Sequence, residues 1–224
     1  MRIIEIFFSI QGESSRAGLP CVFVRLAGCN LRCRWCDTEY SFQGGRAMSV
    51  DEVEREVRRY PARLVEITGG EPLLQAGEVA ALAGRLLPGH EVLLETSGER
   101  DLAPAPAGVI RIVDVKCPGS GESGSFRLEN LARLGPRDEI KFVLADRADY
   151  EFARDFIARH RLADITPHLL LSPAFRKDAA GERSAAQCLL DPRELAAWIL
   201  ADGLPVRLQL QVHKFIWDPA TRGV

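Results

Sequence analysis

The residues best suited to chemistry are three cysteines set close together. The segment Gly28-Cys-Asn-Leu-Arg-Cys-Arg-Trp-Cys-Asp-Thr38 spaces Cys29, Cys33 and Cys36 by three and then two residues, directly after an apolar run. Three thiolates on one loop can converge on a metal centre. A structural zinc or electron-transfer cluster usually takes four protein ligands, whereas three leave one metal position open to a substrate or cofactor. The spacing therefore points to chemistry at a metal. Two plainer alternatives stand beside it: a zinc site completed by a distant Cys or His, and a set of thiols that only pack. Cys117 is the best candidate for a fourth ligand, although it sits in a loop.

One strand candidate further on, Ile67-Thr-Gly-Gly-Glu-Pro72 offers a backbone edge without Cβ atoms, which a ligand can approach closely. By itself such a segment is a turn. Ahead of the cysteines, Gln11-Gly12-Glu13 closes the first apolar run, and Arg25 stands four residues before Cys29. Taken singly, Gln11 and Glu13 are solvated turn residues, Arg25 is a surface strand residue and Thr38 is a helix cap. The four histidines show no pair at i and i+4 that would bind a metal from one helix.

The elements that must position these residues follow from hydrophobic periodicity. Apolar or alternating runs at Arg2 to Ile10, Cys21 to Leu26, Leu64 to Ile67, Glu91 to Glu95, Val109 to Val115, Glu139 to Leu144, His168 to Leu171 and Val206 to Phe215 predict strands. Between them lie helical patterns. Ser49 to Tyr60 opens with a capping box from Ser49 to Glu52, and Gly77 to Leu87 closes on Gly89. Tyr150, Ala153, Phe156 and Ile157 share one helical face, and Asp191-Pro192 supplies an N-cap and a first-turn proline. Such alternation predicts an α/β fold, a mainly parallel sheet with outer helices. Six or seven strands in this register form a partial, incomplete β/α barrel, too few for a closed eight-unit barrel of ~250 residues. The Gly/Ser-rich Cys117 to Ser125 is a loop, no internal repeat is present, and residues 1–224 are expected to form a single domain.

At 224 residues and 46% apolar content the chain can bury one sizeable core. Lys plus Arg total 29 and Asp plus Glu total 31, so the bulk charge advertises neither nucleic acid nor an anionic membrane, and a small-molecule partner is expected. The N-terminus lacks a signal-peptide pattern, and no run approaches the ~18 apolar residues of a membrane span. Six cysteines without a secretion signal fit a reducing, cytoplasmic setting.

The cysteine loop, with aromatic Trp35 before its last cysteine, resembles the signature of the radical S-adenosylmethionine superfamily, and Thr68-Gly-Gly-Glu-Pro72 resembles that superfamily's glycine-rich element. In combination, Glu5 to Glu13, Arg25, Cys36-Asp-Thr38, Asp114-Val-Lys-Cys-Pro-Gly-Ser-Gly121, Leu171-Ser-Pro-Ala-Phe175 and Gln211-Val-His-Lys214 resemble the 7-carboxy-7-deazaguanine synthase family over nearly the whole chain. The resemblance implies a [4Fe-4S] cluster on Cys29, Cys33 and Cys36, with S-adenosylmethionine on its fourth iron. It implies cleavage of that cofactor to a 5′-deoxyadenosyl radical, and contraction of 6-carboxy-5,6,7,8-tetrahydropterin to 7-carboxy-7-deazaguanine with loss of ammonia, in queuosine and deazapurine biosynthesis.

Carried over by motif position, Ile10, Gln11, Gly12, Glu13, Arg25 and Thr68 are expected along the pterin, with Arg25 on its carboxylate. Trp35, Cys36, Asp37, Gly70, Asp114, Val115, Lys116, Ser172, Pro173, Ala174 and Phe175 are expected along S-adenosylmethionine, and Thr38 is expected to bind Mg2+. Magnesium takes hard oxygen ligands and keeps waters, so one hydroxyl plus substrate oxygens is chemically reasonable. The resemblance also implies a homodimer and a flavodoxin-type electron donor. A glycyl-radical activating enzyme shares the cysteine loop but acts on a protein backbone; Gln11-Gly-Glu13 and Thr38 favour the pterin enzyme. A non-enzymatic iron–sulfur or zinc protein would need the fourth ligand for which Cys117 is the candidate.

Overall fold

A computed structural model of the chain describes residues 1–177, 184–219 and 221–224. The β-branched runs become strands β1 (Arg2–Ile10), β2 (Pro20–Leu26), β3 (Arg46–Ala47), β4 (Leu64–Gly69), β5 (Glu91–Thr96), β6 (Ile110–Asp114), β7 (Glu139–Leu144), β8 (Leu169–Pro173) and β9 (Arg207–Leu208). The helices are α1 (Val50–Val57), α2 (Ala76–Leu86), α3 (Arg147–Arg159), α4 (Pro192–Asp202) and the single turn α5 (His213–Ile216). The caps legible in the sequence are formed: Ser49 and Glu52 make a reciprocal capping box at α1, and the Asp191 side chain accepts from the Arg193 amide at α4. None of these helices is long and apolar enough to cross a membrane.

One sheet in the order β3-β1-β2-β4-β5-β6-β7-β8-β9 joins all the strands. From β2 to β9 every neighbour is parallel, while β1 runs antiparallel to β2 and to β3. The sheet is open, with β3 and β9 at its edges, which is the partial barrel that the alternation predicts.

Period-2 alternation sorts the side chains to two faces. Outward-facing Val22, Val24, Val65, Ile67, Val92 and Leu94 pack under α1 and α2, and Ile140, Phe142, Leu169 and Leu171 pack under α3 and α4. On the inner face Cys21, Phe23, Leu64, Leu93, Ile110 and Ile112 form an apolar layer at the lower end of the strands, with Phe7 against it. Toward the carboxyl ends, the next inward positions of β2, β4, β5, β6 and β7 hold Arg25, Glu66 and Thr68, Glu95, Asp114 and Lys141. Apolar filling below and charge above places the chemistry at the carboxyl ends of the strands, where parallel α/β folds bind ligands.

Two expectations need correction. Val206 to Phe215 does not run as one strand: only Arg207–Leu208 pairs with β8, and His213–Ile216 is helical. The alternation breaks because Gln209 and Gln211 turn inward, where Gln209 Nε2 donates to the Ser14 carbonyl and Gln211 Nε2 to Glu13. The count of six or seven strands is also too low against the nine observed: all eight named runs contribute a strand, and the two-residue β3 adds one more, held by backbone pairing to Arg2 and Ile3 with no buried side chain of its own.

Candidate active site

One cavity opens at the carboxyl ends of the strands, and most of the residues singled out by the sequence line it. Ile10 enters from the end of β1, Gln11, Gly12 and Glu13 from the segment after it, Arg25 from β2, Thr68 from β4 and Gly70 from the turn that follows β4. The cysteine loop supplies Cys29, Cys33, Trp35, Cys36, Asp37 and Thr38, while Asp114, Lys116, Ala174 and Phe175 close the opposite wall. Three predicted residues lie off the lining. Val115 buries its side chain in the outer core, where odd and even positions of β6 diverge. Pro173 and Ser172 are buried in β8, and the Ser172 hydroxyl has no hydrogen-bond partner.

The cysteine loop is held from both sides. Arg34 N donates to the Ser120 carbonyl, and Glu71 N donates to the Gly28 carbonyl at 2.8 Å, which ties the glycine-rich turn to the residue before Cys29. That turn depends on Gly70, because a Cβ there would lie 2.2 Å from the Gly28 oxygen and 2.7 Å from the Cys29 Cβ. Gly70→Ala is therefore expected to push the two loops apart, lowering iron content after reconstitution and the melting temperature together; unchanged values of both would show that the turn does not support the cluster loop. Glu71 fixes the same turn from below: its buried carboxylate accepts from Leu73 N, Thr96 Oγ1, Ser97 N and Ser97 Oγ.

Cys29, Cys33 and Cys36 are free thiols, each half-buried at the rim of this cavity. Burial raises all three, Cys36 to about 11, while the Lys116 ammonium facing them works in the opposite sense. Among the described residues no three His, Cys, Asp or Glu side chains gather closely enough to hold a single metal ion. A polynuclear cluster needs instead one thiolate per iron, spread around the body of the cluster, and three thiols on one rim with a cation nearby suit that anionic group. The donor set fits an iron–sulfur cluster better than a zinc ion. Cys117, fully buried among Ile140, Tyr150 and their neighbours, lies outside this set.

Behind the thiols stands a charged cluster of which the sequence singled out Glu13 and Asp114 but not Lys141, Glu95 or Glu66. Lys141, 3% exposed, donates to Glu13 Oε2 at 2.6 Å and to Glu95, and lies 3.9 Å from Asp114. Glu66, also 3% exposed, accepts from Gln11 Nε2 at 2.5 Å. Burial works to raise the Glu13 carboxyl, but the Lys141 charge and then His213 outweigh it and hold Glu13 down at about 2. The available signal was charge at inward positions of strand-like runs, a lone Glu66 in Leu64-Val-Glu-Ile67 and the pair Glu139 and Lys141 in Glu139-Ile-Lys-Phe142.

At the mouth, Arg25 Nε donates to Glu5 Oε1 at 2.8 Å, and Tyr40 OH donates to the same oxygen. One edge of the guanidinium is pinned, and the remaining donors stay available to the cavity. Lys214 pairs with Asp37 at 2.6 Å, and Thr38 Oγ1 donates to the Asp37 carboxylate at 2.7 Å. The chain end returns here: His213 packs so tightly over Gly12 that a Cβ at that position would lie 1.9 Å from Nδ1, and Val224 lines the cavity.

Residues 23–113 match the model of the radical SAM superfamily. The chain is 61% identical to a 7-carboxy-7-deazaguanine synthase of Koribacter versatilis over 226 aligned residues, covering 100% of both chains. It is 44% identical to a 7-carboxy-7-deazaguanine synthase of Chlorobaculum tepidum, covering 100% of this chain and 97% of the relative. The crystal structure of QueE from Escherichia coli superposes with a TM-score of 0.74 at 25% identity, covering 95% of this chain and 94% of that one.

Proposed function

The chain belongs to the 7-carboxy-7-deazaguanine synthase family of radical SAM enzymes, and from that premise we propose that its cavity contracts the ring of 6-carboxy-5,6,7,8-tetrahydropterin to 7-carboxy-7-deazaguanine with loss of ammonia. A four-iron, four-sulfur cluster and S-adenosylmethionine are its cofactors, as the radical SAM superfamily implies. The observation that carries the proposal is that Cys29, Cys33 and Cys36 share one cavity with Gln11, Glu13, Arg25 and Thr68.

Cys29, Cys33 and Cys36 hold the cluster, and Trp35, Asp37, Gly70, Asp114, Lys116, Ala174 and Phe175 border the cofactor's place. Val115, Ser172 and Pro173 contribute backbone or support from behind. When bound, the two cofactors together supply abstraction of a hydrogen atom from the substrate; the protein supplies orientation and exclusion of water. Arg25, already pinned by Glu5, offers its free donors to the pterin carboxylate in a two-pronged contact. Ile10, Gln11 and Gly12 form one wall for the pterin, Thr68 another, and Glu13 with Lys141 the floor. Thr38 would give a hard oxygen to Mg2+, an ion that keeps waters and takes oxygen ligands; the adjacent Asp37 carboxylate accepts from Thr38 Oγ1 and is itself paired with Lys214.

Arg25→Ala is expected to retain the cluster and lose substrate affinity by about 2 to 5 kcal/mol, measured by calorimetry against the pterin. Unchanged affinity would remove Arg25 from the carboxylate site. By likeness to the family we also assign a homodimer, a flavodoxin-type electron donor and a cytoplasmic setting, the last in keeping with six unpaired thiols.

The test is anaerobic reconstitution with iron and sulfide, reduction, and incubation with S-adenosylmethionine, magnesium and carboxytetrahydropterin, with detection of carboxydeazaguanine by mass. Formation of the product supports the proposal. Cofactor cleavage without product would overturn the substrate, and tight zinc binding with no cluster would overturn the metal centre.

A further inference from the structure

Glu66 and Glu95 are acidic groups of the cavity that the reaction as described leaves without a part, and Glu66 is the one of the two without an ion pair among the described residues. It lies on the inner face of β4, one inward position below Thr68, and lines the cavity while being 3% exposed. Its carboxyl stands within hydrogen-bonding reach of the Glu95 carboxyl on the neighbouring strand. Two carboxylates in contact in a buried place cannot both stay ionised, so the pair holds one proton.

The surroundings decide which member keeps it. Lys141 donates directly to Glu95, and Thr68 Oγ1 also points to Glu95, at 3.4 Å. Among the described residues Glu66 has no cation in contact; it faces the Gln11 amide from the segment after β1, Glu95 from β5 and the apolar Cys21 thiol from β2, with the Lys141 charge beyond. The ammonium stabilises charge on Glu95, and the proton resides on Glu66. Burial first, and then the Glu95 charge, raise the Glu66 carboxyl well above the ordinary carboxylate range, against the opposing Gln11 hydrogen bond.

The proposed ring contraction needs a proton at one point, where nitrogen departs as ammonia. Lys141 holds its protons too tightly to serve: burial works against its charge, but Glu13 and Glu95 raise it well above the usual value. His213 is pushed down by burial and carries no spare proton at neutral pH. Cys29, Cys33 and Cys36 are taken by the cluster.

We propose that Glu66 is the catalytic acid that protonates the departing nitrogen, an inference that rests on the ring-contraction reading above. The C–N bond breaks with its electron pair going to nitrogen, which takes the Glu66 proton and leaves as ammonia. The C–H bond on the adjacent carbon then gives its electron pair to the new double bond and its proton to the carboxylate pair. Glu66 ends protonated again, and no oxidant or reductant is consumed. An acid whose proton is present at neutral pH yet not tightly held is the efficient choice for such a transfer.

The discriminating variant is Glu66→Gln, because an amide copies the protonated carboxyl in shape: its oxygen can accept from Gln11 and its NH2 can donate to Glu95, but it has no proton to give. In the reconstituted variant, pterin binding and transfer of label from substrate to 5′-deoxyadenosine are expected to persist, while carboxydeazaguanine formation falls by about 10²-fold or more. Turnover of Glu66→Gln at the wild-type rate would overturn the acid role and leave the ring-contraction reading intact. A wild-type enzyme that makes no carboxydeazaguanine would overturn both. Infrared spectroscopy of the wild-type enzyme keeps the inference testable should the variant fold poorly. A protonated-carboxyl stretch is expected to survive at neutral pH, and its absence there would overturn the assignment.

Discussion

Cys33→Ala is expected to give a folded chain that assembles no four-iron cluster and cleaves no S-adenosylmethionine. The fold should survive because Cys33 is half-buried at the rim of the cavity, outside the packed clusters that lie on either face of the sheet. Its loop is fixed by contacts that do not use the thiol: Arg34 N on the Ser120 carbonyl, Cys36 N on the Cys33 carbonyl and Glu71 N on the Gly28 carbonyl. What is lost is one of three ligands, and with only three protein ligands each holds one iron. Iron and sulfide content, the absorbance of the cluster and 5′-deoxyadenosine formation should fall together. Cys117→Ala is the control. Its thiol is buried beyond the cavity wall with only a weak contact to the Val115 carbonyl, so the variant should lose some stability and keep full iron content. A Cys33→Ala chain that retains cluster and activity, or a Cys117→Ala chain that loses its iron, would sink the three-cysteine assignment.

How far such a site can be read from sequence depends on where its information lies along the chain. The cysteine loop was legible because all of its ligands sit within eight residues, and the spacing alone limits what they can bind. The parallel sheet was legible because strands buried on both faces must be apolar throughout, and helices with capped ends must separate them. Glu66, Glu95 and Lys141 were not, since each is a charge within a strand-like run, and what gives it meaning is a neighbour on another strand. Lys141 and Glu13 are 128 residues apart and meet only because β7 and the end of β1 face the same cavity. The carboxyl-terminal segment failed for a related reason. Its polar–apolar alternation is that of a strand, yet Gln209 and Gln211 point inward to satisfy Ser14 and Glu13, contacts that local periodicity does not encode. The same contacts explain how His213 comes to rest on Gly12, which needs the absence of a Cβ at a distance of some 200 positions along the chain, a separation that no local pattern carries.

Those distant charges should dominate stability as well. Lys141→Met keeps the length of the side chain and removes its charge, leaving Glu13, Glu95 and Asp114 around a buried apolar group. Breaking a buried ion pair by deleting one partner costs about 3 to 5 kcal/mol, because the remaining charges are no longer compensated. For a chain of this size that corresponds to a fall in melting temperature of roughly 6 to 20 °C.

The pH dependence separates this cause from simple repacking. In the wild type the folded Glu13 carboxyl is held at about 2, below its ordinary value of 4.5, so its ionisation stabilises the fold above about pH 4.5 and that contribution, about 3 kcal/mol, disappears as pH falls toward 2. In the variant the burial that opposes ionisation is met only by His213 and Gln211, so the folded carboxyl rises from its wild-type position. The variant then loses less stability than the wild type as pH drops. The stability gap between the two, measured by urea denaturation, should be widest near neutral pH and close steadily on acidification. A gap independent of pH would mean that Lys141 supports the fold by packing alone, and that the carboxylates at the cavity floor do not depend on its charge.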